Sequence, residues 1–255
     1  MPSDDLGSEF LRFERRGPIG WCTIDRPKPR NVLTRAMYRG LGQAIRVTHA
    51  AEELRVLVLT GTDPVFIPGG DMNPNPEDPP PDVPVLPFSI FRYSPVPVVT
   101  AINGLCQASG LLFAALSDVS IASDRAIFRA VELLRGLPDM WLAAVLPAHI
   151  GVGRTRDLGM TGRSIDATEA HQIGLVTRIA DHAELESQAE AAAHQLMEAA
   201  PQARNAWRRE IGARYGPIDE MTMEAALEGE EVAEGFRSFL EKRPPAWTPP
   251  SSAGN

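Results

Sequence analysis

The order in which strands and helices follow one another constrains this chain more than any other feature of its sequence. Up to Glu132, short apolar segments that read as strands are interleaved with helix-spaced segments; after Glu132 the chain reads as mostly helical. Phe10–Glu14 and Pro18–Asp25 predict two short strands joined by a turn at Arg16-Gly17. Between Leu33 and Ala50, Leu33, Met37, Leu41, Ile45 and Thr48 recur about four apart, which is helix spacing. Arg55–Thr60 (Arg-Val-Leu-Val-Leu-Thr) predicts a buried strand ending at Gly61, and Pro97–Asn103 another, closed by Asn103-Gly104. Leu111–Leu116 predicts a short apolar helix and Asp118–Ala122 a further strand. Asn73–Pro87 carries prolines at 74, 76, 79, 80, 81, 84 and 87, which exclude regular structure and predict a long exposed loop. Further on, Asp166 with Glu169 three residues later forms a capping-box pattern, and Gly174 stops that helix. Asp181–Ala200 predicts a long amphipathic helix, Ile218–Leu240 one or two more, and Arg243–Asn255 a loose tail. An α/β core followed by a C-terminal helical region is implied, with helix faces suited to sharing between subunits.

The chain's 255 residues, 44% hydrophobic and 23% charged, suit one sizeable globular domain. A net charge of -8 argues against a nucleic-acid partner, which needs a basic field, yet leaves room for a small basic pocket. Met1–Phe10 is acidic and polar, unlike a signal peptide, and no apolar run reaches the ~18 residues of a membrane span. A cytoplasmic protein with no membrane partner is expected. Cys22 and Cys106 each lie in an apolar run and read as buried reduced thiols. The five histidines fall in no metal-ligand spacing, and no Gly-x-Ser-x-Gly elbow occurs, so no metal site is expected. Gly151-Val-Gly-Arg-Thr-Arg begins like a dinucleotide fingerprint but lacks its last glycine and its preceding strand.

Two glycine turns, each directly after a strand, are the candidates for chemistry: Phe66-Ile-Pro-Gly-Gly-Asp71 and Asn103-Gly-Leu-Cys-Gln-Ala-Ser-Gly110. Glycine lets backbone approach a ligand closely, and a helix start leaves N–H groups unpaired. Two such donors aimed at one point bind a carbonyl oxygen that becomes an oxyanion. Spacing alone favours ordinary turns.

The stretch Ala101-Ile-Asn-Gly104, Ser109-Gly110, Ser117-Asp118-Val-Ser-Ile-Ala-Ser123, Ala126-Ile-Phe128 and Glu132 resembles the signature of the crotonase (enoyl-CoA hydratase/isomerase) superfamily. Further segments resemble that family in the right order: Asp25–Leu33, Val65–Met72, Thr161–Asp166, Ala170–Val176 and Phe239–Pro244. The resemblance runs from about Phe10 to Pro245. It implies an α/β fold of the ClpP/crotonase-like kind, with repeated ββα units and a C-terminal helical region. Its parts are a core over 8–200, a trimerisation region over 201–245 and a tail over 246–255. It implies an acyl-CoA thioester as substrate, with coenzyme A as part of that substrate and no separate cofactor. The homo-oligomer it implies is a trimer or a dimer of trimers. By position, the first oxyanion donor is the N–H of Gly70, in the loop Pro68-Gly69-Gly70-Asp71-Met72, and the second that of Ser109, where the family has the middle glycine of a Gly-Gly-Gly turn. Only the backbone is needed, so serine serves if its conformation is accessible. CoA would lie along the turn holding Arg26, Lys28 and Arg30, whose charges suit phosphates, with Lys242 reaching it from a neighbouring subunit. A solvated surface is the competing reading of these cations.

Hydratases of the family carry two glutamates; here the first position is Leu112 and the second Glu132. Water addition is easiest with two groups, one activating water and one handling the α proton. A single glutamate beside a leucine is similar to the Δ3,Δ2-enoyl-CoA isomerases, where one base removes an α proton and returns it at C4. Burial beside Leu112, Leu133 and Leu134 is expected to raise the Glu132 pKa; the competing reading pairs Glu132 with Arg129 or Arg135. Asp139, in Gly136-Leu-Pro-Asp-Met140, falls where dehalogenases and diketone hydrolases of the superfamily place a functional aspartate, but it reads first as the N-cap of a helix over Met140–His149. Lyase or hydrolase chemistry through Asp139, or acyl-CoA binding without turnover, are the alternatives to an isomerase.

Overall fold

A computed structural model of the protein describes residues 4–71, 73, 75–80 and 84–249. Met72, part of the Pro-rich loop, and all but 246–249 of the expected tail lie outside the described residues.

In chain order the strands are β1 (Leu11–Arg16), β2 (Ile19–Ile24), β3 (Val56–Gly61), β4 (Val65–Ile67), β5 (Val98–Ile102), β6 (Leu105–Gln107), β7 (Val119–Ser123), β8 (Ile127–Arg129), β9 (Ile165–Asp166) and β10 (Arg178–Ala180). The helices are α1 (Arg35–Ala50), α2 (Phe88–Arg92), α3 (Ser109–Leu116), α4 (Met140–Thr161), α5 (Ala167–Gln172), α6 (Leu185–Glu198), α7 (Pro201–Ala213), α8 (Glu220–Leu227) and α9 (Glu230–Leu240). Among the described residues, one sheet has the order β1-β2-β3-β5-β7-β10, parallel except for the β1–β2 hairpin. A second, of short strands, has the order β4-β6-β8-β9. Each of the pairs β3–β4, β5–β6 and β7–β8 gives one strand to each sheet and is followed by a helix, which is the expected ββα repetition.

The long sheet is buried on both faces, as parallel sheets are. Along β3, Leu57 and Leu59 face the larger core, shared with α1 and α3, while Val56 and Val58 face α6 through Leu185, Ala189, Ala192 and Ala193. The boundaries of β1, β2, β3, β5 and β7 fall within two residues of those expected from sequence, whereas β10, in the region expected to be helical, has no counterpart there. The second sheet was not read, because strands of two or three residues are too short to show alternation.

Asp166 caps α5 as expected, accepting from the Glu169 N–H at 2.8 Å. Thr34 caps α1, its hydroxyl accepting from the Met37 N–H at 3.1 Å, so Leu33 lies before that helix rather than in it. Residues 182–184 form a 3-10 turn ahead of α6, which ends at Glu198, shorter than the helix expected over Asp181–Ala200. The segment beginning at Met140 continues to Thr161, bent at Gly151 (φ 78°, ψ 157°); the glycine pair there breaks a helix and forms no dinucleotide loop. Cys22 and Cys106 are free and buried.

The C-terminal helices are tied to the core of the same chain. Arg208 on α7 pairs with Asp118, and Trp141 donates to Glu220 on α8 at 3.0 Å. Gly235 on α9 lies so close to the backbone of Arg135 that a Cβ there would stand 2.2 Å from that carbonyl oxygen. No helix among the described residues is long and apolar enough to cross a membrane.

Candidate active site

The two glycine turns meet. The loop after β4 is pinned on one side by the segment before α1: Leu33 donates to the Gly69 carbonyl at 2.9 Å and Asp71 to the Leu33 carbonyl at 2.8 Å. On the other side, the Gln107 amide donates to the Pro68 carbonyl at 2.8 Å. A Cβ on Gly69, whose φ is 122°, would come within 3.1 Å of the Ala108 Cβ. A larger residue at 69 would therefore push the turns apart, and its backbone conformation is one that L residues rarely adopt.

This pairing uses the carbonyl of Gly69 and the N–H of Asp71, and leaves the N–H of Gly70 between them without an acceptor among the described residues. The Ser109 N–H is in the same condition, because α3 begins at Ser109 and the first turn of a helix has no intrahelical acceptors. The unusual backbone is displaced by one residue: Ala108, at φ 55° and ψ −126°, takes the strain, and Ser109 is helical. Such a conformation costs on the order of 1–3 kcal/mol in a non-glycine residue, and strain of this kind clusters at functional sites.

Tyr38 of α1 sits at the junction. Its hydroxyl donates to Ser109 Oγ at 2.7 Å, and a Cβ on Gly70 would lie 3.2 Å from the same hydroxyl. Nothing in the sequence marked Tyr38, which stands beside Met37 on a helix face that reads simply as core. Gln107 lies inside the second glycine turn, but its contact with Pro68 is not legible in the sequence.

Glu132 opens a 3-10 turn over Leu133–Arg135 whose backbone is held by Arg135 and Leu137 donating to the Glu132 carbonyl at 2.8 and 3.0 Å. Its carboxylate is buried, and neither oxygen has a well-formed hydrogen bond among the described residues; the backbone N–H groups of Glu132 and Val131 lie near enough only to oppose the rise in its pKa. Pairing with Arg129 or Arg135 does not occur: Arg129 donates to the Gly162 carbonyl and Arg135 stacks over Phe239. Burial first, and the nearby Asp139 charge second, push the Glu132 pKa up to about 8. Asp139 caps α4, its Oδ1 accepting from the Leu142 N–H at 2.8 Å, and it also lines the same cavity as Glu132. Burial pushes its pKa up to about 6. The cavity measures about 250 Å³ and is walled mainly by apolar side chains, including Leu133, Met140, Leu142 and Met160. Both carboxylates bear on the turns: after burial and the opposing hydrogen bond to Ser109, the charges of Asp139 and Glu132 also raise the Tyr38 pKa.

The remaining residues singled out from sequence are more dispersed. Leu112 is fully buried in the main core and does not line the cavity. Arg26 is buried, not solvated: it donates to Asp71 and to the Val32 carbonyl at 2.8 and 2.7 Å, so its charge is taken by the Gly70 loop. Asp71 is held below the usual carboxylate range by backbone and side-chain hydrogen bonds from Asn73 and by Arg26, which together outweigh its burial. Lys28 and Arg30 are exposed on the neighbouring turn, and Lys242 is exposed after α9, at φ 53°.

Comparison with known proteins adds to this geometry. The family model described as enoyl-CoA hydratase/isomerase matches residues 14–250. A carnitinyl-CoA dehydratase of Salmonella arizonae is 32% identical, over 94% of this chain and 98% of that protein. One of Citrobacter koseri is 30% identical with the same coverage. Among solved structures, an enoyl-CoA hydratase/isomerase from Pseudoalteromonas atlantica superposes with a TM-score of 0.84 at 26% identity, covering 94% of this chain and all of that one. A carnitinyl-CoA hydratase from Mycobacterium avium gives 0.81 at 26% identity, covering 94% and 99%.

Proposed function

Because the chain belongs to the enoyl-CoA hydratase/isomerase family, we propose that it binds an acyl-CoA thioester with the carbonyl oxygen between the N–H groups of Gly70 and Ser109, and that Glu132 moves the α proton. The observation that carries this is the Glu132 carboxylate: buried, without a well-formed hydrogen bond among the described residues, and facing an apolar cavity that holds a second acid. A carboxyl with a raised pKa is a strong enough base to accept an α proton once the enolate oxygen is stabilised. In the isomerase-like form, Glu132 takes the proton from C2 of a 3-enoyl thioester. The electrons pass into a dienolate whose oxygen is held by the two donors, and Glu132 returns the proton at C4, leaving a C2=C3 bond. No cofactor beyond the CoA of the substrate takes part. CoA phosphates lie by Lys28 and Arg30, with Lys242 of a neighbouring subunit in a trimer or dimer of trimers. Arg26 and Asp71 fix the Gly70 loop instead of meeting the phosphates.

Asp139 favours a second reading. It shares the cavity with Glu132, so two carboxylates are available although Leu112 supplies none. Two acids whose pKa values are pushed apart suit water addition or loss, and the relatives named carnitinyl-CoA dehydratase point the same way. A panel of 3-enoyl-CoA and 2-enoyl-CoA substrates, run on wild type and Asp139→Asn, separates the two. Isomerisation of the 3-enoyl substrate is expected in both proteins, within about tenfold of each other, since Asn still accepts at the helix cap. Hydration that falls about 10²-fold or more in Asp139→Asn, with no isomerisation in wild type, replaces the isomerase by a lyase. Turnover of neither substrate, with acyl-CoA binding retained, leaves a binding protein.

A further inference from the structure

The substitution of serine into the second turn adds a side chain that a backbone donor does not need, and the fold handles it in a specific way. Ser109 is buried, as is Tyr38, and their hydroxyls are 2.7 Å apart with the tyrosine donating. The serine oxygen is thus used as an acceptor, while its own proton finds no acceptor among the described residues. Two backbone N–H groups, those of Gly70 and Ser109, stand beside it in the same condition. Buried donors are ordinarily satisfied, so the two unsatisfied donors of buried Ser109, its N–H and its O–H, with the N–H of the exposed Gly70 beside them, mark a place for an acceptor atom.

We infer that the Ser109 hydroxyl is a third hydrogen-bond donor to the thioester oxygen, polarised by Tyr38. The chain runs from Tyr38 O–H to Ser109 Oγ and from Ser109 O–H to the substrate oxygen. A hydroxyl that accepts one hydrogen bond donates a stronger one, because bonds in a chain polarise each other. No proton is transferred along it; both hydroxyls keep theirs. Ser109 is catalytic in the sense that it touches the reacting oxygen, and Tyr38 is a positioning residue that acts through it. Serine here adds a donor where the backbone alone supplies one, and α1 supplies the tyrosine that orients it. The inference rests on the oxyanion-hole reading of Gly70 and Ser109 given above.

Acetoacetyl-CoA is the probe, because its enolate has an ultraviolet band that reports stabilisation of the oxygen without requiring turnover. Wild-type protein is expected to enrich the bound enolate over free ligand at the same pH. Ser109→Ala, which keeps the backbone N–H, is expected to lower the enolate-to-ketone ratio of bound ligand roughly 10- to 100-fold, within the range for losing an oxyanion donor or somewhat below it. Tyr38→Phe is expected to lower it less, by about 3- to 10-fold, with Ser109→Ala/Tyr38→Phe no worse than Ser109→Ala alone, since the tyrosine acts through the serine. Wild-type enrichment that survives undiminished in Ser109→Ala overturns the third donor and leaves the backbone hole standing. Wild type that binds acetoacetyl-CoA with no enrichment overturns the hole, and the third donor with it. Tyr38→Phe and Ser109→Ala that lose ratio independently, their effects multiplying, overturn the chain.

Discussion

Glu132→Gln is expected to lower turnover of the protein's enoyl-CoA substrate by about 10²–10⁴-fold, the usual contribution of a positioned general acid–base, while binding of a saturated acyl-CoA persists. The amide is nearly the same shape as the carboxyl but neither takes nor gives the α proton. The same substitution has a thermodynamic signature. Burial raises the Glu132 pKa from 4.5 to about 8, so the folded chain holds this proton more tightly than the unfolded chain does. Stability is therefore fully present below pH 4.5 and falls as pH rises from there to about 8, where the folded protein must also ionise. Asp139, raised to about 6, adds a loss of the same sign over a narrower window starting near 4. The penalty of ionising Glu132 is on the order of 5 kcal/mol at most. Denaturant melts should therefore show Glu132→Gln gaining on wild type between pH 4 and pH 9. A difference between the two proteins that stays constant over that range contradicts the burial of an ionisable, unpaired Glu132.

Gly104→Ala is expected to be the most disruptive small substitution in the chain. A Cβ there would stand 1.9 Å from the Pro64 carbonyl oxygen and 2.5 Å from its carbon, which are backbone atoms of the turn between β3 and β4. The two turns are further clamped by Asn103, which donates to Asp63 at 3.0 Å and accepts from the Gly61 N–H at 3.2 Å. Backbone must shift on both sides of the clamp, at a cost of about 3 kcal/mol or more. Both glycine turns of the site hang from these strands, so binding of acyl-CoA should weaken along with stability. Gly153→Ala is the matched control: nothing lies within 4 Å of its Cβ, its φ is not positive and the residue is helical, so a gain of about 0.5–1 kcal/mol is expected. Thermal melts of the two variants check both; a Gly104→Ala protein as stable as wild type contradicts the close approach of the turns.

The parts of the fold that sequence made legible are those in which one residue pattern answers to one physical demand. Val56–Gly61 and Val98–Ile102 had to be apolar on both faces because helices cover both sides of their sheet. The Asp166 cap and the bracket of prolines around residue 80 were equally local. The second sheet was hidden because its strands are set by partners and not by their own alternation. α7 was hidden for a related reason: its contacts with the core are Arg208, paired with Asp118, and Gly212, whose carbonyl accepts from Arg92, while Trp207 and Ile211 point outward. At the site, family register singled out Gly70, Ser109 and Glu132; the fold brings the segments of Gly70 and Ser109 together at Tyr38, while Glu132 lines a cavity that neither of them lines. It also singled out Arg26 by charge alone, and charge does not reveal that Asp71 across the loop has already claimed it. In sequence Asp139 answers to both capping and chemistry; in the fold the same carboxylate caps α4 with one oxygen and lines the cavity. Tyr38 was invisible because its role depends on a contact 71 residues away in sequence.

Exchange of the α protons of butyryl-CoA in deuterated buffer, followed by proton NMR, tests the central claim most directly, because it needs only a thioester oxygen held beside a base and no knowledge of the natural acyl group. Wild-type protein is predicted to exchange deuterium into C2, and Glu132→Gln to lose that exchange by about 10²-fold or more. Wild type that binds butyryl-CoA without exchanging it, or a Glu132→Gln variant that exchanges as fast as wild type, would contradict Glu132 as the base of an oxyanion-hole enzyme.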